Sequence, residues 1–410
     1  MSLKIEVDAS DVGFAPERLE RLTNHLRGYV DDGRLPGWSV VLSRGGQIAH
    51  LDTYGQRDIE AGTPIELNTI FRIYSMTKPI TTVAAMMLWE EGAFELHTPV
   101  RRFIPSFKET KVWRGGSATS PILEGRTEEL ELWHLMTHTS GLTYGFMYAH
   151  PVDDLYRRAG FEWATPVDSD LEGVCDKLAD LPLLFQPGRE WNYSMSTDVL
   201  GRVVEVVSGR PLDQFLRERI FEPLEMTDTG FFAPADDHHR LARLYTAVPK
   251  TRKATPLDAM GRGALQKPAF LGGGGGLVST LADYHRFTQM LLREGELDGV
   301  RLLGTRTVEY MTTNHLPGDA DLSEYGRPLF SESTFDGVGF GLGFSVTVDP
   351  VKAKVPGSIG DFGWGGAAST TFWIDPVEEI TCVFLTQLLP SSTHPIRSEL
   401  KQLVHQALVD

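Results

Sequence analysis

An α+β fold is predicted by three features of the 410-residue sequence. Strand-like apolar runs cluster near both ends, helical periodicity dominates the stretch between them, and a helix pattern lies outside the strands at each terminus. Strands supplied by both ends of a chain close most simply into one central antiparallel sheet, flanked by the terminal helices, with the intervening segment inserted as a helical lobe. The expected division is a discontinuous α/β sheet domain of residues 1–90 and 290–410 and a mainly helical lobe of residues 91–289.

The elements follow in order. Leu19, Leu22, Leu26 and Val30 share one helical face, which predicts a helix over 16–31 stopped by Gly33 and Pro36. Residues 38–42 and 48–54 read as strands joined through Gly45-Gly46, a hairpin signal. An apolar helix begins near Ser75, Gly92 and Pro99 mark turns, and the polar, Gly/Ser-rich residues 106–130 read as a surface excursion. From Thr197 to Ser208, Val199, Leu200, Val203, Val204 and Val207 keep helical spacing. Ser279 or Thr280 caps a helix running through Leu292, with Asp283 in its first turn. Residues 344–348, 369–374 and 380–385 restore strands, the last two joined over 375–379, and a helix from about Pro395 to Val409 closes the chain.

Composition excludes several functions. A formal net charge of −16 and a pI near 5.2 disfavour nucleic acid and anionic membranes. No apolar run reaches spanning length, and residues 1–8 lack the apolar core of a signal peptide. Cys175 and Cys382 are the only cysteines, which suits a reducing compartment, so a cytoplasmic location is expected. His134 and His138 stand four apart, but Leu135 occupies the place where a zinc protease needs glutamate. They read as structural, bonding to the turn at 139–141, and Asp236–His239 reads as a solvated loop; no metal and no cofactor are expected. The five glycines Gly272–Gly276 lack the Gly-Lys-Ser/Thr of a phosphate loop and suit close approach of backbone to backbone or to a ligand.

The chemistry centres on Ser75-Met76-Thr77-Lys78, which opens the apolar run Pro79–Trp89. A helix apolar on all sides belongs inside the protein, and Pro79 fits only its first turn. Ser75 and Lys78 then share a face at the helix N-terminus. A buried ammonium needs a partner. The residues suggest a serine nucleophile with a lysine that helps remove its proton. The second Ser-x-x-Lys, Ser398–Lys401, lies on a charged amphipathic segment and reads as a solvated helix. Aromatic residues crowd the stretch from Tyr144 to Trp163, either as the wall of a substrate pocket or as packing for a long connection.

With Tyr193-Ser194-Met195 and Trp364-Gly365-Gly366 downstream, the ordered set resembles the serine β-lactamase and penicillin-binding-protein superfamily, most closely its class C-like family VIII carboxylesterase branch and related acyltransferases. The resemblance spans nearly the whole chain, including residues 138–142, Pro187-Gly188 and 274–280. It implies a β-lactamase/transpeptidase-like fold with the active site between the two lobes. It further implies that Ser75 is the acylated nucleophile, that Lys78 with Tyr193 forms the base, and that the backbone N–H groups of Ser75 and Ala367 form an oxyanion hole. A tyrosine of pKa about 10 serves as a base only if a cation favours its phenolate, and Lys78 is the expected cation. Gly365 and Gly366 would leave a strand edge bare for substrate, with Trp364, Tyr144 and Met195 also lining the site. Trp364 stands where class C lactamases carry lysine, and Met195 where they carry asparagine. Both changes favour a neutral, apolar acyl group, so the expected partner is a small-molecule ester or lactam.

Overall fold

Gly45 and Gly46 both adopt positive φ (58° and 78°), the conformation a two-residue hairpin demands. In the computed structural model, which describes residues 3–162 and 169–409, they join the first two strands of the main sheet. A helix α1 (Pro16–Asp31) precedes them, opened by Pro16 in its first turn. Strands β1 (Gly37–Arg44), β2 (Gln47–Asp58) and β3 (Thr63–Pro64) come next, followed by the buried helix α2 (Thr77–Glu90). The central stretch contributes α3 (Leu132–Met136), α4 (Ser196–Ser208) and α5 (Leu281–Leu292), with short helices between them. Thr280 caps α5, its hydroxyl accepting from Asp283 N–H. The chain then returns with β4 (Val338–Phe340), β5 (Ser345–Thr347), β6 (Phe362–Gly366), β7 (Thr370–Asp375) and β8 (Ile380–Leu385), and ends in α6 (Ile396–His405).

These eight strands form one antiparallel sheet in the order β4-β5-β6-β7-β8-β1-β2-β3, so β8 pairs with β1 and unites the two ends of the chain. Alternation assigns each face. Trp38, Val40, Leu42, Cys382 and Phe384 face α1 and α6, while Val41, Val383 and Leu385 face the larger core around α2. Val40 lies opposite Phe384 and Val41 opposite Val383, so a one-residue slip would exchange the two faces. Every residue of α2 from Thr77 to Leu88 is buried, which is why that helix carries almost no charge.

Within the polar stretch read as a surface excursion, residues 112–124 carry regular structure. They form a hairpin, Val112–Ser117 against Ser120–Glu124. Its second strand is wholly exposed and contains Pro121, so no apolar alternation marks it, and Gly115 and Gly116 mask the first. Trp163 lies outside the described residues. Among the described residues, no helix is long and apolar enough to cross a membrane, and no three His, Cys, Asp or Glu side chains are grouped to hold a metal ion.

Candidate active site

Ser75 sits in a 3₁₀ turn, Tyr74–Met76, that leads directly into α2. Tyr74 takes the left-handed conformation (φ 43°), which is strained for an aromatic residue and turns the chain sharply before the serine. One turn later Lys78 is enclosed, only 1% exposed. Its ammonium donates to the Gly274 carbonyl (2.6 Å), the Tyr144 hydroxyl (3.0 Å) and Ser75 Oγ (3.4 Å). Burial pushes its pKa down to about 8, against the opposing pull of the Asp198 and Glu332 carboxylates.

The lysine's relation to Tyr193 differs from the expectation. Nζ lies 4.6 Å from the centroid of the Tyr193 ring, a cation–π contact, while Tyr144 takes the hydroxyl hydrogen bond. Tyr193 is deeply buried, and burial together with Glu332 drives its phenol well above the ordinary range. Its hydroxyl lies beside Ser75 and Trp364, whose pull toward the phenolate is the weaker effect, and closes no hydrogen bond with either. In the resting site, therefore, Tyr193 is a neutral phenol, and Lys78 is the group whose proton is loosely held. Trp364 Nε1 is likewise buried without a partner, 5.5 Å separating its ring from that of Tyr193. Two unpaired donors thus face the neighbourhood of Ser75.

The floor of the site is the glycine run. Gly274 N–H donates to Asp198 Oδ1 (2.9 Å) while its carbonyl receives Lys78, so one glycine residue links carboxylate to ammonium. A Cβ on Gly274 would stand 2.5 Å from Asp198 Oδ2, and one on Gly273 would meet Thr197 O at 2.8 Å. Backbone here packs on the first turn of α4 and leaves no room for side chains. Asp198 was not singled out by the sequence; its signal is an aspartate on the buried face of an amphipathic helix, five residues after Tyr193.

Phe146 stacks on Tyr144 (4.7 Å), and Phe330 lies 6.0 Å from Phe146 and 6.5 Å from Tyr193. Tyr144 therefore adjoins the lysine, with Phe146 stacked on its ring. Tyr156 and Phe161 pack in the core instead. Met195, at the entry of α4, is fully buried in that core with no exposed surface.

The two glycines after Trp364 serve the protein's own groups. Strand β5 pairs with Phe362 and Gly363 only, so residues 364–366 do run past their neighbour with a free edge. A side chain on Gly365, however, would fall on the Arg397 guanidinium, and one on Gly366 would strike the Ile73 carbonyl. His138 and His134 also depart from their expected partners. His138 Nδ1 bonds Ser194 Oγ (3.1 Å), and His134 Nδ1 accepts from Glu131 N–H (3.0 Å) as part of a capping box at α3.

A model of the beta-lactamase family matches residues 22–406. Over 369 residues the sequence is 36% identical to Protein Rv1367c of Mycobacterium tuberculosis, covering 89% of each chain. It is 30% identical to Esterase EstB of Burkholderia gladioli, over 86% of each chain. The fold matches that of EstCE1, described as a hydrolase with promiscuous acyltransferase activity, with a TM-score of 0.80 at 28% identity, covering 94% of this chain and 97% of that one. With its β-lactamase/transpeptidase-like fold and the Ser75–Lys78 pair at the head of a buried helix, the chain belongs to the beta-lactamase family.

Proposed function

We propose that the protein is a serine hydrolase that cleaves carboxylic esters of small to medium acyl groups through an acyl-enzyme on Ser75. The observation that carries this reading is the contact between Ser75 Oγ and a lysine whose pKa burial has lowered to about 8. Neutral Lys78 takes the Ser75 proton as Oγ attacks the ester carbonyl. The N–H groups of Ser75 and Ala367 stabilise the oxyanion, each donor worth about 2.7–4 kcal/mol. Collapse expels the alkoxide, which takes the proton held by Lys78, directly or through the Tyr193 phenol that the ammonium reprotonates, and water then repeats the sequence on the acyl-enzyme with the neutral lysine as base. The aromatic walls of Trp364, Tyr144 and Phe146 suit a neutral, apolar acyl group.

Relatives described as esterases support ester cleavage, and the hydrolase with promiscuous acyltransferase activity supports the same-site alternative, in which an alcohol or amine replaces water. Weak β-lactam hydrolysis on the same serine is a further alternative, read with nitrocefin. We extend the proposal to an active site between a sheet lobe (1–90 and 290–410) and a helical lobe (91–289). Two free, buried cysteines, Cys175 and Cys382, support a cytoplasmic location.

The test is intact mass after incubation with a panel of activated esters and lactams, alongside turnover of a short-chain nitrophenyl ester. A stoichiometric acyl adduct, absent in Ser75→Ala together with turnover, is expected. Wild-type turnover by Ser75→Ala would overturn the reading. A non-catalytic member that only binds ligands in the cleft would instead resist a fluorophosphonate.

A further inference from the structure

The hairpin between β6 and β7 carries Ala367 at its tip, and one side chain holds the hairpin's mouth. Arg397, in the first turn of α6, donates through Nη2 to the carbonyls of Gly366 (2.9 Å) and Thr370 (3.1 Å), the two residues that flank the turn. The same nitrogen reaches Glu332 Oε2 (2.6 Å), and Nη1 donates to the Glu332 carbonyl (2.7 Å). The Glu332 side chain is 1% exposed and also accepts from Ser391 Oγ (2.9 Å). Gly365 lacks a side chain where the guanidinium lies, and Gly366 lacks one where the Ile73 carbonyl lies, two residues before Ser75. The mouth of the hairpin is thus wedged between Arg397 and the backbone that leads into the nucleophile's turn.

We propose that Arg397, locked by Glu332, is a positioning residue that fixes the Ala367 N–H at its working distance from Ser75. This rests on the ester-cleaving reading above. The planar guanidinium divides its bonds between Nη2, which faces the Gly366 and Thr370 carbonyls and the Glu332 carboxylate, and Nη1, which takes the Glu332 carbonyl; a lysine ammonium, a point charge on a flexible stem, cannot span both positions. Oxyanion donors act through their place relative to the charge that develops in the transition state, so a small displacement of the turn weakens that stage and leaves the ground state nearly untouched. Glu332 belongs to the same connection as Phe330, which packs near Tyr193, so that segment touches both the tyrosine and the hairpin clamp.

The test measures Arg397→Lys and Glu332→Gln for kcat, KM, melting temperature and affinity for an alkyl boronic acid, which forms a tetrahedral adduct at the serine with an oxygen in the hole. The expected result for Arg397→Lys is a kcat lower by about 10- to 100-fold, a KM within about threefold of wild type, and a parallel loss of boronate affinity. Glu332→Gln keeps size and the acceptor for Ser391; measured on the plateau above pH 8, where loss of its charge no longer changes the fraction of neutral Lys78, it shifts the same quantities in the same direction by about three- to tenfold and carries the test if Arg397→Lys fails to fold. Unchanged kcat and boronate affinity in the folded variants would overturn the proposal. So would a drop in melting temperature with boronate affinity intact, since that is the mark of a purely structural ion pair. Fluorophosphonate labelling of the wild-type protein separates the two readings: no label means that the hydrolase reading has failed, whereas labelling with insensitive variants means that only the clamp has.

Discussion

Lys78 gives its hydroxyl hydrogen bond to Tyr144, at 3.0 Å, and meets Tyr193 only through the face of the ring. The two tyrosines thus split what one residue was expected to do. Tyr144 steadies the ammonium, and Tyr193 stands beside the serine as a neutral phenol.

Activity should follow the deprotonation of Lys78. We expect kcat/KM to rise with pH and level off above about 8, since the group must be neutral to take the Ser75 proton. A pH–rate profile on a non-ionising ester checks this, and a flat profile between pH 6 and 9 contradicts it.

The same shift acts on folding. Folded Lys78 binds its proton less tightly than its ordinary value of 10.5 allows in the unfolded chain, so stability rises with pH between about 8 and 10.5. Lys78→Met removes this slope. Between pH 7.5 and 9.5 the wild type should gain about 2 kcal/mol relative to the variant, read by urea denaturation of both proteins.

Asp198→Asn should move the acid limb of the rate profile down by about one unit. The asparagine oxygen still accepts from Gly274 N–H, but the negative charge that favours the ammonium is gone, so Lys78 loses its proton earlier. A limb that moves upward would contradict the assigned sign.

Tyr144→Phe deletes a charge-assisted hydrogen bond from the ammonium, worth about 1.5–3 kcal/mol, and keeps the ring stacked on Phe146. The acid limb should again move down, while the melting temperature stays within a few degrees of wild type. The same profile run beside a thermal melt reads both.

Gly274→Ala places a methyl carbon 2.5 Å from Asp198 Oδ2. Overpacking of this kind costs about 1–3 kcal/mol, and here it displaces the carbonyl that holds Lys78. Both melting temperature and kcat should fall.

What the sequence reveals is governed by distance along the chain. The bounds of α1 and the Gly45-Gly46 hairpin are local, set by periodicity and by residues that tolerate positive φ, and they were readable directly. The burial of α2 was readable for the same reason, since a run without charge has nowhere else to go. Arg397, Glu332 and Asp198 were not, because each acquires its importance from a partner far away: Gly366 for the arginine, Arg397 itself for Glu332, the glycine run for Asp198. Gly365 shows the limit most clearly. Its lack of a side chain is plain in the sequence, but whether a substrate or a guanidinium fills the gap is decided by the packing of α6.

The crowding around Gly272–Gly276 also tells an engineer where not to look. Any side chain added at Gly273, Gly274 or Gly276 collides with backbone, with Asp198 or with Phe231. A mutagenesis library aimed at new acyl groups would squander its diversity on that strip, whereas Phe146 and Phe330, side chains whose rings stand beside Tyr144 and Tyr193, can be trimmed or enlarged.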